Sequence, residues 1–220
     1  MTEIADRVGV VKARIEDAAR RAGRDPASVM LVAATKTVDV ARIADALAAG
    51  VAQLGENRAQ ELLEKAPTLV DAPPHEWHFL GSLQRNKVRA LAPLVALWHS
   101  VDREPLVEEI ARRAPGARVL LEVNLAGEPQ KTGVAPALAG ALADAARTQG
   151  LVVAGLMAVP PAGDDPRPWF AQLRALAATL EVTELSMGMS DDFEIAVEEG
   201  ASIVRVGRAL FGDRPPAPTA

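Results

Sequence analysis

Eight short apolar or β-prone runs alternate with segments of helical periodicity along the 220 residues of this chain, and no other property limits its fold as strongly. The runs lie at 29–34, 51–54, 77–80, 97–101, 119–123, 152–159, 185–189 and 203–206. Between them, 40–49, 58–65, 86–91, 106–114, 138–147, 169–180 and 193–199 read as helices. The first run, Val-Met-Leu-Val-Ala-Ala, is apolar throughout, as a strand buried on both faces must be. Repeated βα units imply parallel strands with right-handed crossovers, and eight of them in this length favour a closed, TIM-like (β/α)8 barrel. Ile4, Val8, Val11, Ile15, Ala18 and Ala22, at steps of three and four, predict an extra N-terminal helix that ends at Gly23. The proline-rich stretch 160–168 falls between a strand and a helix and reads as a loop. The expectation is one domain over 1–212, followed by a flexible proline-rich tail at 213–220.

Composition removes several classes of function. There is no cysteine, which excludes disulfides, iron–sulfur clusters, thiolate zinc and cysteine nucleophiles. A formal net charge of −5 argues against a nucleic-acid surface. The mixed-charge N-terminus carries no apolar signal core, and no apolar run is long enough for a membrane span. The chain is therefore expected in the cytoplasm. No long apolar stripe calls for a partner, so it is expected to be a monomer.

Of the five lysines (Lys12, Lys36, Lys65, Lys87 and Lys131), only Lys36 closes an apolar strand. In a barrel, the C-terminal strand ends carry the working residues. Partial desolvation there favours the neutral amine, which attacks carbonyls to form a Schiff base. A lysine whose stem snorkels to solvent, or one that supplies a phosphate-binding charge, would occupy the same position.

Two late segments form a candidate phosphate cradle. Ser186-Met-Gly-Met-Ser-Asp-Asp192 runs from a strand through a glycine turn into a helix expected near Asp191. Ser190 could cap that helix and donate its hydroxyl to an anion. Arg205 lies among apolar neighbours in the last strand, and either a phosphate or a buried carboxylate such as Glu122 would partner it. Gly207 would let backbone approach the phosphate. These loops follow the seventh and eighth strands, where barrels of this kind hold phosphate.

Elsewhere, Asn57 in Gly55-Glu-Asn57 is placed to hydrogen-bond a ring hydroxyl or to fix a loop. His75 and His78 have an H-x-x-H spacing, but a strand would point them apart and no third ligand is evident, so no metal is expected. His78 is expected to make a core hydrogen bond. Glu122 and Asn124 are candidates for inward polar contacts.

Taken together, these blocks are recognisable. Ala33-Ala-Thr-Lys36, Gly55-Glu-Asn57, Trp77-His-Phe-Leu-Gly81, Lys131-Thr-Gly-Val134, Gly155-Leu-Met157, Leu185-Ser-Met-Gly-Met-Ser-Asp-Asp192 and Val204-Arg-Val-Gly207 span nearly the whole chain. They resemble the pyridoxal phosphate homeostasis protein family, also called the proline synthase co-transcribed family. The resemblance implies a barrel like the N-terminal domain of alanine racemase, with pyridoxal 5′-phosphate (PLP) on Lys36. It also implies phosphate contacts from Ser190, Arg205 and Gly207, and a role in holding, buffering or handing on PLP, with PLP-dependent enzymes as recipients. Two positions depart from the family pattern. Arg58 stands where many relatives carry Tyr, and Arg208 where many carry Thr or Ser, so that backbone N–H groups or Arg208 itself would have to replace one hydroxyl contact to phosphate, unless Arg208 is simply exposed.

A two-base racemase is the first alternative, but it needs an acid–base group opposite the lysine. The related enzymes use Tyr there, and this sequence contains none. A class I aldolase would use Lys36 on the substrate carbonyl and the late cradle on a sugar phosphate. A cofactor-free interaction module would use neither.

Overall fold

The computed structural model describes residues 2–212, so the tail expected at 213–220 lies outside the described residues. Eight parallel strands close into a barrel in sequence order. They are β1 (Met30–Ala34), β2 (Gln53–Glu56), β3 (Glu76–Phe79), β4 (Val95–Val101), β5 (Arg118–Glu122), β6 (Val152–Met157), β7 (Glu184–Ser186) and β8 (Ile203–Val206). The helices are α1 (Glu3–Arg21), α2 (Val40–Ala48), α3 (Ala59–Lys65), α4 (Arg85–Leu91), α5 (Glu104–Arg113), α6 (Ala139–Thr148), α7 (Arg167–Thr179), α8 (Phe193–Glu198) and α9 (Arg208–Phe211).

The all-apolar strands are explained by two cores. Val32, Leu80, Leu97, Leu120, Met157 and Ile203 fill the barrel interior. Alternate residues such as Ala33, Leu54, Val119, Leu121, Val204 and Val206 pack outward against the helices. In the β1–β8 seam Val32 pairs with Arg205, which places that arginine on the inward face of β8.

The N-terminal helix is an integral stave of the ring. Among the described residues only the four-residue α9 follows β8, leaving one gap in the helical jacket. α1 fills it, packing against α2, α8 and α9 through Ile4, Val8, Val11 and Ile15, which are buried. Arg14 fastens this joint, stacked 4.7 Å from the Phe193 ring centroid and 2.7 Å from Glu194. Thr2 caps α1, its hydroxyl accepting from the Ala5 N–H at 3.3 Å.

Two expected strands move along the chain. The second begins at Gln53 because Gly50 (φ 81°) and the Val51 N–H, donating to Ala46 O at 3.1 Å, still belong to the helix exit. That shift brings Glu56 to the strand end, fully buried. The seventh stops at Ser186 because the chain turns at Gly188 (φ 89°), where a Cβ would lie 2.5 Å from the Ala196 methyl.

Candidate functional site

A cleft of about 490 Å3 opens at the C-terminal ends of β1, β7 and β8. Its lining includes Lys36, Ser190, Arg205 and Gly207, so four of the five binding residues expected from sequence converge there. Asn57 is not in the lining. It is half-buried just after β2, and its carbonyl lies so close to the backbone of Gly81 that a Cβ at 81 would come within 2.0 Å of it. That contact explains the glycine of the Phe-Leu-Gly motif. Arg208, the departure from the family pattern after Gly207, also lines the cleft, as does Arg42, which nothing in the sequence singles out.

The late loop differs in detail from expectation. α8 starts at Phe193 with Asp192 as its N-cap residue, so Ser190 does not cap it. Asp192 Oδ1 instead accepts the Met189 N–H at 2.6 Å, closing a turn that leaves Ser190 ahead of the helix. The Ser190 hydroxyl accepts the Ala209 N–H at 3.2 Å and so joins the β7 loop to α9. Arg208 reaches across the rim to pair with Asp191.

Arg205 is 6% exposed, yet it makes no ion pair within 4 Å among the described residues. The expected alternative, a salt bridge to Glu122, is not formed. Its Nη1 donates to Ser186 Oγ at 2.6 Å and its Nη2 to the Ala158 carbonyl at 3.0 Å. Burial lowers its pKa to about 10, with the more distant charges of Asp192 and Glu122 opposing that shift. A desolvated cation with neutral partners, facing a cleft, favours an anionic ligand.

Behind Arg205 a hydrogen-bonded chain crosses the barrel interior. Gln53 Oε1 lies 2.8 Å from His78 Nε2, His78 Nδ1 lies 2.9 Å from His99 Nε2, and His99 Nδ1 lies 2.9 Å from Ser186 Oγ. With both rings held neutral by burial, the carbonyl of Gln53 accepts from His78 Nε2, and His78 Nδ1 accepts from His99. His99 Nδ1 then accepts the Ser186 hydroxyl, and Ser186 accepts from Arg205. Burial, assisted by the charge of Arg118, lowers the His78 pKa to about 4. Burial first, then His78 and Arg205, hold His99 well below the usual histidine value. The core hydrogen bond expected of His78 is thus present, and its partner His99 had gone unmarked. His75 is half-buried, with Nδ1 2.9 Å from the Pro73 carbonyl. No group of three or more His, Cys, Asp or Glu among the described residues is placed to hold a metal ion.

A second set of residues unmarked in the sequence lies behind Lys36. Lys65 is 8% exposed and Glu56 is 0% exposed, and they pair at 2.6 Å. Farther round the mouth, Thr132 donates to Glu122 at 2.7 Å, while burial raises the Glu122 pKa.

A parallel barrel with a lysine after its first strand and a buried arginine in its eighth defines a class. Residues 8–215 match the family model for the alanine racemase N-terminal domain. A pyridoxal phosphate homeostasis protein from Pseudomonas aeruginosa is 44% identical over 224 residues, covering 97% of each chain. Its counterpart from Aquifex aeolicus is 43% identical, covering 95% of this chain and 97% of that one. The structure of PipY from Synechococcus elongatus with PLP bound superposes with a TM-score of 0.84 at 37% identity, covering 96% of this chain and all of PipY. The chain belongs to the pyridoxal phosphate homeostasis protein family.

Proposed function

We propose that this chain binds PLP in the mouth cleft, holds it as a Schiff base on Lys36 and serves PLP homeostasis without strong catalytic activity of its own. The carrying observation is the cleft itself, which joins Lys36, Ser190, Gly207 and a buried arginine with no carboxylate partner within 4 Å among the described residues. Those residues suit the cofactor, since PLP presents an aldehyde to an amine and a phosphate to donors and positive charge. PLP supplies a reactive aldehyde. Lys36 would hold it, Ser190 and backbone at Gly207 would border the phosphate, and Arg205 would provide buried positive charge. Asn57 is assigned to the ring side of the cofactor, from its place just after β2. The homeostasis names of the relatives and the PLP in PipY support this reading.

Carriage is favoured over racemisation because no tyrosine exists to act opposite Lys36. We further assign the chain to the cytoplasm as a monomer of one domain, with PLP-dependent enzymes as recipients. Among the described residues no helix is long and apolar enough to cross a membrane.

Freshly purified protein is expected to be yellow. Borohydride should bleach it, and peptide mass mapping should place the reduced adduct on Lys36. A colourless protein that takes up no added PLP would sink the proposal and make the sugar-phosphate aldolase the next reading to test.

Arg205→Gln is expected to weaken PLP binding by about 1.5–3 kcal/mol, the worth of a charge-assisted hydrogen bond. The unliganded variant should unfold no more easily, because Gln keeps an amide donor and relieves a desolvated charge. Isothermal titration and urea denaturation read the two effects. Unchanged PLP affinity would leave Arg205 a structural residue.

A further inference from the structure

Lys36 lies between two threonines that are tied to one buried ion cluster. Lys65 Nζ donates to the Thr35 carbonyl at 2.8 Å, to Glu56 Oε1 at 2.6 Å and to Glu61 Oε2 at 2.8 Å, which uses all three ammonium protons. Glu56 Oε1 also accepts the Thr35 hydroxyl at 2.8 Å, and Glu56 Oε2 accepts the Asn57 N–H at 2.9 Å. On the other side of Lys36, the Thr37 N–H donates to Glu61 Oε2 at 2.7 Å. Thr37 has φ 63°, a left-handed conformation that a β-branched residue adopts only when its surroundings impose it.

We propose that Lys65, acting with Glu56 and Glu61, is a positioning residue for Lys36. The cluster clamps the backbone on both sides of that lysine and thereby sets the direction in which its amine leaves β1. An ion pair that served only to staple α3 to the barrel would need Lys65 and Glu56 alone. The further bonds, to the Thr35 carbonyl and through Glu61 to Thr37, converge on the two neighbours of Lys36. This inference rests on the covalent reading of Lys36. In that condensation the amine nitrogen bonds to the aldehyde carbon, the C=O bond becomes C=N, and the oxygen leaves as water with both amine protons. The reaction depends on the angle and distance of approach, whereas non-covalent contacts of ring and phosphate do not.

The test compares PLP with pyridoxine 5′-phosphate, which has the same ring and phosphate but an alcohol in place of the aldehyde. Full-length wild type, Lys65→Met and Glu61→Gln would be titrated with each. Both variants are expected to lower the preference for PLP over the alcohol, Lys65→Met by about tenfold or more, because small misplacements of reacting groups are costly. Affinity for pyridoxine 5′-phosphate should stay near the wild-type value. Equal losses for the two ligands, or no loss for either, would overturn the positioning role. Lys65→Met strands Glu56 as a buried charge. If that variant does not fold, Glu61→Gln decides, since it retains the Lys65–Glu56 pair. A wild type that shows no preference for PLP over the alcohol would instead refute the covalent reading on which this inference rests.

Discussion

Lys36→Ala is expected to yield a folded, colourless chain in which borohydride fixes no cofactor. Lys36 is only half-buried, and truncating such a side chain at the end of a strand changes stability by about 0.5 kcal/mol or less. The covalent bond disappears altogether, because none of the other lysines is in the cleft lining. Residual binding should fall to the level of pyridoxine 5′-phosphate, since Ser190, Gly207 and Arg205 are untouched. Absorbance, borohydride trapping and circular dichroism of the variant check the three parts. An adduct that persists in Lys36→Ala would move the covalent site to another amine and end the assignment.

Acid should destabilise the barrel through its buried histidines, and the His78→Gln variant should lose much of that sensitivity. His78 is expected to titrate near 6.5 in the unfolded chain and at about 4 in the folded one. Between these values the unfolded chain binds more protons, so the contribution is intact above pH 6.5 and lost as pH falls through about 4. At about 1.4 kcal/mol per pH unit, the loss from His78 alone is about 3 kcal/mol. His99, depressed further, acts in the same direction at lower pH. Glu122 and Asp192 act oppositely, because burial raises their carboxyl pKa values. Urea unfolding at neutral pH and near pH 4, wild type against His78→Gln, isolates the histidine term. Identical pH dependence in the two proteins would show that His78 takes up its proton equally readily in the folded and the unfolded chain.

The barrel was legible because a strand buried on both faces leaves a wholly apolar run such as 29–34, and eight apolar or β-prone runs between helices leave few topologies. The grouping of Lys36, Ser190, Arg205 and Gly207 was legible for a related reason. Barrel closure places the ends of the first and eighth strands side by side, so residues far apart in sequence could be assigned to one mouth. Lys65 was not legible. It ends a segment with the polarity of a solvated helix, and its burial follows from a two-residue shift of β2 that carries Glu56 into the interior. His99 left a fainter mark. It shares strand parity with the inward Leu97, but that inference needs a register, and β4 carries register irregularities on both of its edges. Ser190 was placed correctly at the mouth and given the wrong helix, because the turn closed by Asp192 delays α8.

The closure of the ring by α1 has a consequence for the order of events during synthesis. Lys36 is made before Arg205, and α1, which precedes β1, finds its berth between α2 and α8. β1 and β8, with six strands between them in sequence, must therefore pair before a mouth exists. Such non-local closure is slow, since the entropy of the intervening loop is lost before the contacts form. A ribosome-bound fragment ending before β8 would carry Lys36 yet have no pocket to present it in. On the proposed function, cofactor capture would then be a completeness check, available only to a chain in which β1 has paired with β8.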